Sequence, residues 1–163
     1  MPHTLRAQKV TCFGWFRGQY APGGVAEFLS ESWIAELDRA ARDASSLGGL
    51  GSPEPLVVEQ HVHRGDDDVV YHLSFSSDGA RVRAGPAAAP DLVFVTDVET
   101  ARRLQQGTLS AQQAAVGQRL KIRGQVQRLG AAGEALRSLD DVFQTVRDAT
   151  TYPAESGGAQ PRR

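Results

Sequence analysis

The chain has a single cysteine, Cys12, so it can form no internal disulfide, a usage that fits a reducing cytoplasm. No apolar run approaches the ~20 residues that a bilayer-spanning helix needs, and Met1–Gly18 contains none of signal-peptide length. These absences predict a cytoplasmic protein with no integral membrane association. Excess charge is missing too. A formal net charge of −1 gives no electrostatic case for nucleic acid or an anionic membrane surface. Gly14, Gly18, Gly23 and Gly24 do not lie between a strand and a helix, so they make no phosphate-binding fingerprint. Asp66-Asp67-Asp68 lacks the spaced oxygen ligands and the glycine of a calcium loop and reads as a solvated turn. Ser30, Ser32, Ser110 and Cys12 have no base within any recognisable pattern. The expectation is therefore no catalytic residue, no metal and no cofactor.

What is present suits one domain, since 163 residues can bury a sizeable core without disulfides. Residues 1–24 crowd Phe13, Trp15, Phe16 and Tyr20 among glycines without period and read as an aromatic arm. The folded domain is expected over residues 25–149 and a disordered tail over 150–163, where the chain becomes small, polar and Pro/Gly-containing. Ser30 is an N-cap for a helix carrying Trp33, Ile34, Leu37, Ala40 and Ala41 on one stripe. Leu56–His63 and Val69–Ser76 alternate as a hairpin, with Leu56, Val58 and Val62 on one face of the first strand. A turn around Asp66-Asp67 predicts Val62 opposite Tyr71 and Val58 opposite Phe75. Arg81–Ala84 reads as a short edge strand.

The segment Asp91–Gly124 carries the densest set of signals. Leu92, Val93, Phe94 and Val95 are apolar on both faces, as in a central strand. Thr96 with Glu99, and Ser110 with Gln113, have the spacing of capping boxes for two short helices ended by Gly107 and Gly117. Leu120, Ile122, Gly124 and Val126 alternate with charged and polar residues as a strand buried on one face. A helix over Ala131–Val146 follows, with Leu136, Leu139, Phe143 and Val146 on one stripe. The order predicts an α+β fold, a largely antiparallel sheet with its helices gathered on one face.

In this ordered set the chain resembles the sterol carrier protein 2 family, the sterol- and lipid-binding domain. The resemblance runs from about Val58 to Leu139. It rests on the hairpin, the Asp-headed strand DLVFVTD, the helix and step QQGTLSAQQAAVG, and Gly117-Gln118-Arg119-Leu120-Lys121-Ile122-Arg123-Gly124. FLSESWIAELDRAA also looks like the N-terminal helix of standalone bacterial members. Two departures stand out: one extra residue between Gly117 and Leu120, and alanines at 114 and 115 where members often have a larger residue. The resemblance implies a sterol-carrier-like fold, five strands layered on one face by about four to five helices, with an apolar tunnel between. It also implies a non-catalytic carrier for a hydrophobic small molecule or lipid of the sterol, fatty acid or acyl-CoA class.

The apolar residues expected to line that tunnel are Phe94, Val98, Ala101, Leu104, Leu109, Ala114, Val116, Ile122, Leu136, Leu139 and Phe143. Taken singly, each reads more readily as plain core; the cavity is an expectation for the set. The alternative function is thus a cavity-poor module of the same fold, a structural or homodimerising partner of an enzyme. The predicted hairpin register sets His61 opposite His72, beside His63 and Glu59, a spacing that imidazole–zinc chemistry could use but that polar alternation also produces. Lys121, Arg123 and Arg128 offer a basic strip for a phosphate or headgroup, or simply a solvated face.

Overall fold

The computed structural model describes residues 26–44 and 55–153; on the last helix the side chains of Leu136 and Leu139 are among those not described. In order the elements are β1 (Ala26–Glu27), α1 (Glu31–Asp43), β2 (Leu56–Arg64), β3 (Asp67–Ser76), β4 (Gly79–Ala84) and β5 (Leu92–Asp97). Then come α2 (Val98–Gln105), α3 (Ala111–Val116), β6 (Leu120–Gly124), α4 (Arg128–Asp148) and β7 (Thr150–Thr151). The main sheet has five strands in the order β4-β3-β2-β5-β6, and every pairing is antiparallel except the parallel β2–β5 pair. The expected α+β layering holds, with a mixed sheet.

The hairpin turns at Gly65-Asp66, not at Asp66-Asp67. Gly65 takes the left-handed φ of +64° that a two-residue turn requires at its first position and that aspartate accepts less readily. Val62 therefore pairs with Val69, Val58 with Leu73 and Leu56 with Phe75. This is a shift of two residues from the expected register. Because side chains alternate with period two, both apolar faces still point the same way. The histidines do not keep their partners. His61 lies opposite Val70, Glu59 lies opposite His72, and His63 pairs with Asp68 at 2.7 Å. Among the described residues no three metal-ligating side chains converge.

The helices cover the sheet face that carries Val58, Val62, Leu73, Phe75, Val82 and Leu92, all buried. Helix α1 starts at Ser30, whose Oγ accepts the Trp33 N–H at 3.1 Å, and it packs Trp33, Ile34, Leu37 and Ala41 onto that face. Its Asp38 accepts both the Val82 N–H and the Arg81 Nε–H at 3.0 Å. Burial opposes ionisation of this carboxyl, but those hydrogen bonds outweigh it and hold the pKa below the ordinary carboxylate value. The same contacts occupy a backbone donor of edge strand β4.

One expectation about the chain's ends is corrected, and one about the end of β6. The chain is ordered through Thr150–Thr151, which pair in parallel with Ala26–Glu27 while Phe28 N–H donates to Thr151 O at 2.9 Å. The clasp is driven by burial: Phe28 meets Trp33 edge-on at 5.0 Å and Tyr152 at 5.3 Å. The expected aromatic arm, residues 1–24, lies outside the described residues. Strand β6 ends at Gly124, so Val126 is half exposed instead of extending the buried face.

The opposite sheet face is crossed by the loop from Gly85 to Pro90, which carries the chain from edge strand β4 to interior strand β5. His72 Nδ1 meets Gly85 O at 2.9 Å, and the Ala87 N–H donates to Glu59 Oε2 at 2.6 Å. Glu59, only 6% exposed, also holds His61 Nε2 at 2.6 Å. Burial alone would raise its pKa, but the His61 and Ala87 hydrogen bonds and nearby imidazole charge bring it below 4.5.

Gly124 has φ +98°, and a Cβ there would collide with the Asp91 carbonyl oxygen. Gly124→Ala should therefore lower unfolding free energy by about 3 kcal/mol, combining a left-handed backbone cost with overpacking. Urea titration would show this as a reduced midpoint at constant slope. A carboxylate whose folded pKa is depressed stabilises the fold above its unfolded pKa and loses that contribution as pH falls through the folded value. Thermal melts of the native chain should accordingly fall as pH drops below about 4.5, and Glu59→Gln should flatten part of that slope. An unchanged slope would remove Glu59 from the account.

Candidate functional site

A cavity of about 630 Å³ lies between the helix-covered sheet face and the short helices. Its floor is Gln60 and Val62 of β2, Tyr71 of β3, and Phe94 and Thr96 of β5. Its roof is Ala101, Leu104 and Gln105 of α2, the Gly107–Ser110 connection, and Ala111 and Gln113 of α3. Phe28, Leu120 and, from α4, Arg137 and Asp140 complete the wall. The volume falls within the ~300–1,000 Å³ typical of small-molecule sites.

Capping places the roof. Asp97 caps α2, accepting the Thr100 N–H at 2.7 Å and the Thr100 hydroxyl at 2.8 Å. The expected box of Thr96 and Glu99 is displaced by one residue. Thr96 is the last inward residue of β5, is buried, and donates its hydroxyl to Arg119 O at 3.0 Å. Asp97 is ionised below its usual range because hydrogen bonds from Thr100 overcome the cost of burial. The second box forms as expected, with Ser110 Oγ accepting the Gln113 N–H at 3.1 Å and Gln113 reaching back to Ser110 N–H. Gly107, at φ +71°, turns the chain between the two helices. Gln118, between Gly117 and Leu120, takes a left-handed φ of +57° and turns the chain into β6.

Of the residues expected to line a tunnel, Phe94, Ala101, Leu104 and Leu109 border this cavity. Val98 and Ile122 are half-buried against the core, and Phe143 is buried within the core and is not part of the cavity wall. Ala114 is sealed at 0% exposure, so it fills space beside β6 and opens none. Val116 is 81% exposed: as the last residue of a six-residue helix it lies on the side away from the sheet. Leu136 and Leu139 belong to α4, with side chains outside the described set. Helix α4 itself runs Arg128–Asp148, longer at both ends than Ala131–Val146.

The polar part of the wall lies outside the expected set. Gln60 sits between Val58 and Val62 on the inward face of β2, and this break in an apolar alternation is the signal available for it. Arg137 and Asp140 follow the Leu136–Leu139 stripe by one residue, which hides them among ordinary surface charges. Lys121 and Arg123 alternate with Leu120 and Ile122 and so face the other side of the sheet, away from the cavity.

A second depression, of about 530 Å³, lies between α1 and α4. Glu36, Arg39 and Asp43 border it, and Arg39 and Glu36 pair at 3.7 Å. A charged, solvent-facing rim of this kind suits a helix–helix groove more than an apolar ligand, so the first cavity is the functional candidate.

Residues 57–136 match the model of the SCP-2 sterol transfer family. No curated protein matches the chain. Among solved structures it is similar to a conserved hypothetical protein of Thermus thermophilus considered a possible sterol carrier protein, with TM-score 0.62 and 18% identity, over 82% of this chain and 96% of that one. It is similar also to a crystal structure of sterol carrier protein 2, with TM-score 0.59 and 20% identity, over 75% and 98%. A third is sterol carrier protein domain 2 of Helicoverpa armigera, with TM-score 0.50 and 17% identity, over 68% and 87%. Likeness at these identities shows the fold. Among the described residues no helix is long and apolar enough to cross a membrane.

Proposed function

Since residues 57–136 belong to the SCP-2 sterol transfer family, we propose that this chain is a carrier that buries a hydrophobic molecule in the cavity between β2, β3, β5 and the α2–α3 roof. The observation that carries the reading is the cavity itself. Its volume of about 630 Å³ and its apolar surfaces from Phe94, Leu104 and Leu109 match what a lipid tail needs. Burial drives such binding at about 25 cal/mol per Å² of apolar surface removed from water. A tail burying roughly 300 Å² would gain on the order of 7 kcal/mol before association costs. That is enough for reversible uptake and too little for permanent retention, as transport demands.

The reading is non-catalytic. The polar side chains on the wall are amides, hydroxyls, one guanidinium and one carboxylate, without a nucleophile held against a base. The homodimerising, cavity-poor alternative is weakened by the presence of the cavity. Native mass spectrometry of the protein from cells would report bound lipid and oligomeric mass together.

A fluorescent fatty acid or sterol analogue should bind stoichiometrically. Phe94→Asp and Leu104→Asp should abolish that binding while circular dichroism retains the native spectrum, whereas exposed Val116→Asp should bind normally. No saturable binding across a broad lipid panel would sink the proposal.

A further inference from the structure

Resting on the carrier reading, we propose that the β1–β7 clasp is the gate of the cavity, with Phe28 as its leaf and Leu29 as its hinge. Phe28 belongs to both. Its N–H closes the clasp on Thr151 O at 2.9 Å, its ring meets Tyr152 at 5.3 Å, and the same residue walls the cavity. The clasp also stands between two spaces. Ala26 borders the α1–α4 groove, and Phe28, two residues on, borders the cavity. Parting β1 from β7 joins them.

The corner is closed under strain. Leu29, buried beside Phe28, takes φ +65°, a left-handed backbone that a residue with a Cβ adopts only when its surroundings force it. Four buried side-chain polar atoms have no hydrogen-bond partner among the described residues, and three of them are here: Trp33 Nε1, the Tyr152 hydroxyl and Arg147 Nε. Trp33 and Tyr152 flank the Phe28 ring, and Arg147 lies close enough to Tyr152 to act on its phenol. Opening relieves the strain, because Leu29 is freed to leave the left-handed region and water reaches the phenol and the guanidinium. Holding the corner shut are two strands of only two residues each and the ring contacts of Phe28. Segments with few hydrogen bonds and unmet polar groups are the ones that open locally while the rest of a fold stays intact.

Of the two ways into the cavity, this one suits an apolar molecule. Thr108, Ser110, Gln113, Arg137 and Asp140 rim the cavity with exposed polar side chains. The groove behind the clasp is bordered by Ala40, Ala44, Val142, Val146 and Ala149. A hydrophobic ligand moving along that groove sheds water before it passes Phe28, and the reclosed clasp then retains it.

The test staples the gate. By register Glu27 lies beside Thr151, and both are exposed. Glu27→Cys with Thr151→Cys, in a Cys12→Ser chain, therefore places two thiols on paired strand positions, within disulfide reach and off the cavity wall. Stopped-flow fluorescence with dehydroergosterol and cis-parinaric acid compares the oxidised and reduced forms of that one protein. Oxidation should slow uptake and release alike, by about tenfold or more, at unchanged Kd, and reductant should restore the native rates. Tyr152→Ala, which alters no cavity-lining residue, should speed both rates severalfold, again at unchanged Kd. Equal rates in the oxidised and reduced forms, unchanged rates in Tyr152→Ala, or a staple that alters one rate and the Kd together would overturn the gate and leave the carrier reading standing. Failure of both probes to bind the native chain would overturn the carrier reading itself.

Discussion

Strand β5 and strand β6 approach each other so closely at their shared end that only a glycine fits. Gly124 lies against the Asp91 backbone, where a Cβ has no room, and the Gln125 N–H donates to Asp91 O at 2.8 Å. The Asp91 side chain then does two further things. One oxygen accepts the Val57 N–H at 2.8 Å, which sets the parallel register of β5 on β2. The other pairs with Arg128, whose second nitrogen reaches Pro55 O at 2.9 Å. A single residue thus joins the start of β2, the start of β5, the end of β6 and the first turn of α4. The parallel pair needs such a device because, unlike its antiparallel neighbours, it has no tight turn to fix its register. With β5 placed, Phe94 and Thr96 fall on the cavity floor, and with Arg128 placed, α4 leaves along the line that brings Arg137 to the wall.

The cavity follows from how unequally the sheet is covered. Helix α1, with 13 residues, packs against β4, and α4, with 21, packs against α1. The other half of the same face, β2, β5 and β6, is covered by α2 and α3, of eight and six residues. At 1.5 Å per residue these span about 12 and 9 Å, less than the strands beneath them. Helices this short are not stable alone, which is why each has a strong side-chain cap and why the glycine turn between them is left-handed. A gap between a long-helix half and a short-helix half is the geometric result, and its walls come from both.

Much of this is legible in the residues. Period-two alternation marks β2, β3 and β6, helical spacing marks α1 and α4, and the Ser110–Gln113 box forms where its spacing places it. The hairpin shows why faces are more robust than partners: a turn displaced by one position moves every pair by two and leaves the apolar side intact. Thr96 and Asp97 show the limit of motif reading. Either can cap, and only the requirement that Thr96 be buried at the end of β5 decides between them. The β1–β7 clasp is not legible, because two-residue strands have no period and their pairing rests on Phe28 meeting Tyr152 across the length of the chain.

The site is less legible than the fold for a related reason. Selecting apolar residues at regular spacing finds whatever packs, and packing residues such as Phe143 and Ala114 close space as readily as they line it. What distinguishes a wall from a core is the residue that breaks the pattern. Gln60 interrupts the run Leu56, Val58, Val62 at the point where a fourth apolar side chain would have sealed the floor. A fourth apolar residue there would close the layer, whereas an amide stays solvated through the cavity it borders and so escapes the ~1–3 kcal/mol cost of a sealed, unpaired polar group. Its position opposite Tyr71, in the half of the sheet where the roof is short, is where the fold leaves that access open.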